Sequence, residues 1–259
     1  MNSVVCIAQV PDTEARIKIA DGRRIDETGL KFIVSPYDEF ALEQAIRVKE
    51  AKGGDVTVVS FGPDRVQQGL RECLARGATK ALHIKGESGS ADALGIAKTL
   101  AAAIRSLPHD LLFFGKQGVG TDNSLVGPMV AELLGYPQLN VVTHLEVGDA
   151  KITAHREIEG AEEILEASMP AVITAQKGLN EPRYASLKGI MAAKKKEFKI
   201  WSAADLALAD GAAGRAGAMY EVKEILIPER KSKVEMISGT PEEAAATLVE
   251  KLRKEAKVL

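Results

Sequence analysis

The chain has 259 residues, enough for one large α/β domain or two modest ones. Hydrophobic residues at 46%, charged residues at 27% and a net charge of -2 describe an ordinary globular chain, without the basic field that nucleic-acid binding requires. Cys6 and Cys73 lie in apolar runs without metal-ligand spacing, and the N-terminal apolar run is too short for a secretion signal or a membrane span. The expectation is a cytoplasmic protein, not inserted in a membrane, that binds no nucleic acid. Aromatic residues make up only 4%, so the core must rest on Val, Ile, Leu and Ala.

Residues 3–10, SVVCIAQV, form a continuous apolar, β-branched run that predicts a buried strand. In SPYDEFALEQAIRVKEAKGG, Ser35 suits an N-cap, Pro36 the first helical position, and Asp38 and Glu39 the positive helix end. Phe40, Leu42, Ala45, Ile46 and Val48 supply an apolar face, and Gly53-Gly54 stops the helix. Residues 55–62 predict the next strand and residues 63–78 the next helix. A strand over 79–86, a helix over 91–107 and a strand over 109–117 follow. The fourth helix is expected over 121–137, with Thr121 or Asp122 as its cap. Repeated β-α units of this length imply parallel strands joined by crossovers, hence a doubly wound, mostly parallel α/β sheet. Ligands of such sheets bind beyond the carboxyl ends of the strands, at the loops after Val10, Ser60 and Phe114.

From residue 140 apolar and polar residues alternate, and the turn Gly148-Asp149 predicts an antiparallel hairpin followed by another strand. Residues 179–196, LNEPRYASLKGIMAAKKK, read as a long basic loop that presents Leu187. Domain organisation follows: an α/β domain over 1–206 that includes this loop, an Ala/Gly-rich linker over 207–219, and a C-terminal arm over 220–259. In the arm, YEVKEILIPE has a strand-like composition. Thr240, Pro241 and Glu243 open a capped helix whose stripe is Ala245, Leu248, Val249, Leu252 and Ala256.

The loop GKQGVGTDNSLVGP, 115–128, follows a buried strand and runs into a helix. Its glycines let backbone N–H groups approach an anion, and the helix dipole favours negative charge there. It is neither a Walker loop nor the dinucleotide fingerprint, because Asn123 stands where the third glycine belongs. A glycine-rich connection to an ordinary helix explains the same residues equally well. The four histidines are scattered, no nucleophile elbow is present, and neither cysteine has a nucleophile's setting. The residues describe a nucleotide holder without catalytic side chains or a metal site.

LNEPRYASLKGIMAAKKK resembles the signature region of the electron transfer flavoprotein β subunit. The resemblance runs through SPYDEFALEQA, VSFGP, TDNSLVGP and REIEG, nearly the whole chain. It implies a Rossmann-like domain of the adenine nucleotide α-hydrolase type, paired with an α subunit that carries most contacts to FAD. It also implies a structural AMP held by Ala8, Ser35, Pro36, Tyr37, Asp38, Phe61, Gly118, Val119, Gly120, Thr121, Asp122, Asn123, Ser124, Val126 and Gly127. Leu187 would plug an apolar pocket on acyl-CoA and related dehydrogenases, supported by Tyr184, Ile190, Met191 and Lys194. Glu157 would face the moving flavin domain of α, and electrons would leave to a quinone oxidoreductase. Gly120 and Thr121 replace two aspartates of the family's common loop, and Leu125 a glutamine. A bifurcating branch with a second FAD in the AMP pocket therefore stays open. From a different class, a stand-alone nucleotide sensor also remains, and the amphipathic arm argues against it.

Overall fold

The computed structural model describes residues 1–206, 208, 214–228 and 234–259, with the side chain of Ser90 left aside. Its strands and helices follow in chain order: β1 (Ser3–Cys6), β2 (Gln9–Pro11), β3 (Phe32–Val34), α1 (Pro36–Lys52), β4 (Val56–Gly62), α2 (Val66–Arg76), β5 (Lys80–Lys85), α3 (Ala93–Ile104) and β6 (Leu111–Gly115). Then come α4 (Val126–Leu134), β7 (Gln138–Val147), β8 (Lys151–Ile158), β9 (Ala161–Ser168), β10 (Ala171–Ala175), α5 (Leu187–Ala193), β11 (Glu197–Trp201) and α6 (Pro241–Lys251). A nine-stranded sheet runs β11-β5-β4-β1-β6-β10-β7-β8-β9, parallel from β11 to β7 and antiparallel beyond.

Alternation along each strand divides the core. Val58, Val5, Phe113 and Ile173 lie in register across four strands and pack with Leu42, Ile46, Leu70 and Leu74 of α1 and α2. Their neighbours Val4, Leu112 and Val172 point the other way, against Leu100, Ile104 and Val130 of α3 and α4. Both faces are covered, which is why these strands read as unbroken apolar runs. The core is built mainly from Val, Ile, Leu and Ala, with Phe113 its largest fully buried side chain.

Several elements depart from the sequence expectation. The strand expected over 3–10 breaks at Ile7-Ala8, and β2 turns away to pair with β3 in a separate two-stranded sheet. The break has a cause: the Ala8 N–H is taken by the Asp38 carboxylate and its carbonyl by the Ser35 N–H, so no ladder continues. The hairpin and following strand expected after residue 140 are a three-stranded antiparallel meander and a fourth strand, β10, which inserts between β6 and β7. Residues 221–228, expected to be strand-like, carry no strand, and the Ile225 N–H donates to the Gly22 carbonyl at 2.6 Å. Of the segment expected as a linker, Gly214–Gly217 form a 3-10 turn on α3, with the Gly214 N–H on Thr99 Oγ1 and the Met219 N–H on Asp92; residues 207 and 209–213 lie outside the described part. The capped arm helix forms as expected: Thr240 and Glu243 make a reciprocal capping box, and none of the α6 side chains is buried. Among the described residues no helix is long and apolar enough to cross a membrane.

Candidate functional site

The carboxyl ends of β1 and β6 meet the N-terminus of α1, and Asp38 joins all three. Its carboxylate accepts the Ala8 N–H at 2.7 Å and the Gly115 N–H at 2.8 Å, one on each oxygen. Burial pushes this carboxyl up to about 7, although both backbone donors pull it down. Burial, reinforced by the Asp38 charge, raises the neighbouring Cys6 thiol well above the ordinary range, so that cysteine is inert. Cys73 is likewise buried and raised. Asp38, expected among the nucleotide contacts, ties together the loops after β1 and β6 through both of its carboxylate oxygens.

Ser35 occupies the N-cap position, yet its hydroxyl does not cap the helix. It points across the cleft to the Gln117 carbonyl at 3.5 Å, which links α1 to the loop after β6. Gln117 organises that loop: its amide donates to Asp122 Oδ1 at 2.6 Å and accepts from the Ser124 hydroxyl at 3.0 Å. Lys116 Nζ sits 5.2 Å from the Tyr37 ring centroid, a cation–π contact that brings a positive charge to the cleft. Gln117 and Lys116 were not singled out from sequence, although both stand inside the glycine-rich stretch that was.

The fourth helix does not start at Thr121 or Asp122. It starts at Val126, with Leu125 in the cap position, because Asp122 and Ser124 adopt left-handed backbone (φ 47° and 53°) that no helix can contain. Residues 120–125 are therefore an exposed open turn, Gly120 included at φ 95°. Gly127 lets α4 lie close behind it: a Cβ there would meet Thr174 Cγ2 at 2.8 Å. The Thr121 and Ser124 hydroxyls donate inside the loop, to the Gly118 carbonyl at 3.1 Å and to Gln117 Oε1 at 3.0 Å, which leaves the exposed Asn123 side-chain amide as a donor that faces solvent. The Asp122 carboxylate is held aside by Gln117.

The structure thus brings Ala8, Ser35, Asp38, Asp122 and Ser124 into one hydrogen-bonded group, with Tyr37 beside it. Phe61 lies at the end of β4, with its ring close against Gly86 and Gly214. Glu157 is exposed on β8 opposite Glu162 of β9.

The segment 179–196 is not a bare loop. Ser186 caps α5 by accepting the Gly189 N–H, and α5 packs on α2. Leu187, the first residue of this helix, is 77% exposed; Tyr184 is 92%, Met191 65% and Ile190 48% exposed, and Lys194 lies beside them at the surface. A buried role for Leu187 under a loop cover is therefore excluded. The lysine cluster is divided: Lys194 and Lys195 face outward, whereas Lys196 donates to the Leu74 and Ala78 carbonyls at 2.7 and 2.6 Å. Partial burial lowers the Lys196 pKa.

A doubly wound, mostly parallel sheet with helices on both faces defines a Rossmann-like α/β domain, here with carboxyl-edge loops tied by Asp38 and an exposed apolar knob at α5. Comparison with known proteins makes the class specific. Residues 23–206 match the family described as the electron transfer flavoprotein domain. Over 257 residues the chain is 40% identical to an electron transfer flavoprotein subunit beta of Clostridium acetobutylicum, covering 98% of this chain and 99% of that protein. It is 37% identical to the caffeyl-CoA reductase-Etf complex subunit CarD of Acetobacterium woodii, covering 98% of each. It is also 36% identical to the protein FixA of Azotobacter vinelandii, covering 97% of this chain and 94% of FixA. The chain belongs to the electron transfer flavoprotein β-subunit family, and its role is in electron transfer.

Proposed function

We propose that this chain is the β half of a heterodimeric electron transfer flavoprotein. It accepts electrons from acyl-CoA and related dehydrogenases and passes them to a quinone oxidoreductase. The observation that carries this reading is the knob on α5. Three large apolar side chains, Leu187, Ile190 and Met191, stand exposed on a fastened short helix with Tyr184 just before it, a costly arrangement unless a partner covers them intermittently. An exposed anchor with adaptable neighbours suits a small, transient interface, and a carrier must release after each transfer. The uncovered arm helix and the apolar side chains Leu226, Ile227, Val234 and Met236 before it suit a permanent partner, the α subunit.

FAD, held mainly by the α subunit, supplies the redox chemistry of the complex. This chain contributes positioning. Leu187 brings the carrier to its donor, and tethering through the knob keeps the flavin domain at high local concentration. The cleft holds AMP, with the phosphate on the turn 120–125 and the base near Tyr37, and Asp38 ties the loops that form its walls. Glu157, exposed on β8, is the acid that faces the moving flavin domain.

Leu187→Ala tests the reading. Reduction of the heterodimer by an acyl-CoA dehydrogenase should lose efficiency by roughly 10- to 100-fold, the worth of burying one leucine. Flavin content and thermal stability should stay native, because the side chain is exposed in this chain. Unimpaired reduction would remove the docking role.

A further inference from the structure

We propose that Arg183, forked between Glu43 and Glu50, is the positioning residue that holds the α5 knob in its docking geometry. The proposal rests on the reading of Leu187 as the dehydrogenase anchor, and it names what makes that anchor rigid.

The knob cannot hold itself. Its apolar side chains are exposed, and α5 spans seven residues, too few for a helix that is stable alone. Its geometry must come from fastenings to the domain. Asn180 is buried and donates to the Phe40 carbonyl at 3.0 Å and Gln44 Oε1 at 3.1 Å, which fixes the entry of the segment. Lys196 fixes its exit on the end of α2. Gly189 lies flush on α2, where a Cβ would sit 2.2 Å from the Ala75 carbonyl oxygen.

Between entry and helix stands Arg183. Its backbone N–H and Nε both donate to Glu43 Oε2, at 3.2 and 2.8 Å, and its Nη2 to Glu43 Oε1 at 3.0 Å. Nη1 and Nη2 donate to Glu50 at 2.5 and 2.9 Å. One guanidinium thus reads two carboxylates about two helical turns apart on α1, and a backbone amide closes the set. The Glu43 side chain is only 4% exposed and also accepts from Arg47 at 2.8 Å. Burial alone would raise its pKa, and the Arg183 and Arg47 hydrogen bonds more than reverse this, holding it below the usual range.

A half-buried ion pair of this kind, with Glu43 buried and Arg183 partly exposed, adds little net stability over an apolar contact. What it adds is direction: a planar fork on two fixed carboxylates admits one orientation of the chain at residue 183, four residues before Leu187. A lysine, as a point charge, cannot reproduce that constraint. With the fork gone the same apolar side chains remain available, and they must be ordered anew at each encounter.

The test uses the whole heterodimer with Arg183→Lys, Arg183→Ala, Leu187→Ala and the Arg183→Ala/Leu187→Ala double variant. Reduction by an acyl-CoA dehydrogenase, itself reduced by its acyl-CoA, gives KM and kcat, and hydrogen exchange follows the amides of 184–193. Both Arg183 variants should raise KM for the dehydrogenase reaction about tenfold with kcat held within about twofold, and speed exchange in 184–193. The double variant should be little worse than Leu187→Ala, since Arg183 acts through the knob. Unfolding midpoints and nucleotide content serve as controls, and Arg183→Lys keeps the test valid if Arg183→Ala misfolds. Additive losses would mean that Arg183 touches the dehydrogenase itself and would overturn the positioning role. A Leu187 effect combined with unmoved KM and exchange in the Arg183 variants removes the clamp alone. A native KM for Leu187→Ala removes the docking reading and the clamp's purpose with it.

Discussion

Replacing Asp38 by Asn tests how the walls of the cleft are held. The side chain is buried, and its carboxyl is pushed up to about 7 while an unfolded aspartate titrates near 3.8. Between these two values the folded chain binds a proton that the unfolded chain has lost, so stability falls as pH rises. The contribution is fully present below the unfolded value and lost as pH climbs through the folded one. From pH 5 to pH 8 the loss amounts to about 2 to 3 kcal/mol, since one pKa unit is worth about 1.4 kcal/mol. The amide introduced by Asp38→Asn has no charge to bury. Like a protonated carboxyl, it accepts one N–H well and meets the other with a hydrogen. The variant should therefore match the native chain at pH 5 and exceed it by about 2 to 3 kcal/mol at pH 8, a shift of about 1 M in urea midpoint. Fluorescence of Trp201, the sole tryptophan, reports the unfolding from β11. A variant weaker than native by the same amount at both pH values would refute the reasoning. Asp38 would then be ionised throughout, with its two amide donors outweighing its burial.

Denaturing the purified heterodimer should release one AMP and one FAD per copy of this chain, quantified by mass spectrometry, and two FAD without AMP would move the protein to the bifurcating branch. Gly127→Ala should strip the AMP while FAD stays, because α4 must move off Thr174 and Phe114 and carry the phosphate turn with it; native AMP content would sink that placement. Thr240→Ala should cost the isolated chain about 1 kcal/mol of local stability in α6. Its reciprocal cap is lost, and no buried side chain of that helix compensates. Hydrogen exchange over 241–251 should quicken, and an unchanged rate would show that α6 is held by something besides its cap.

What the sequence made legible and what it hid separate along one physical line. Local signals transferred well. The apolar runs of β1, β4, β5 and β6 and the Thr240-Pro241-Glu243 start of α6 each depend on neighbours within a few residues. The exposed knob was found through motif resemblance rather than periodicity. Where the reading failed, a distant partner had overridden a local preference. Thr121 and Asp122 are good caps, yet Gln117 draws Asp122 and Ser124 into left-handed backbone and the helix waits until Val126. Ser35 is a good cap as well, but its hydroxyl reaches across to residue 117. The strand over 3–10 ends early because Asp38, thirty residues on, claims the Ala8 amide.

The same logic explains why Glu43 escaped notice. It stands between Leu42 and Ala45 on a helix whose buried surface is wider than an amphipathic stripe. A carboxylate there reads as a solvated face until Arg183, 140 residues later, arrives to pair with it. A charge beside the apolar stripe of a long helix was the available clue, since burial of an ion demands a partner. Both long-range ties, Asp38 to Gly115 and Glu43 to Arg183, begin on α1. This one helix therefore braces the loops at the sheet's carboxyl edge with its N-terminus and the α5 segment along its flank.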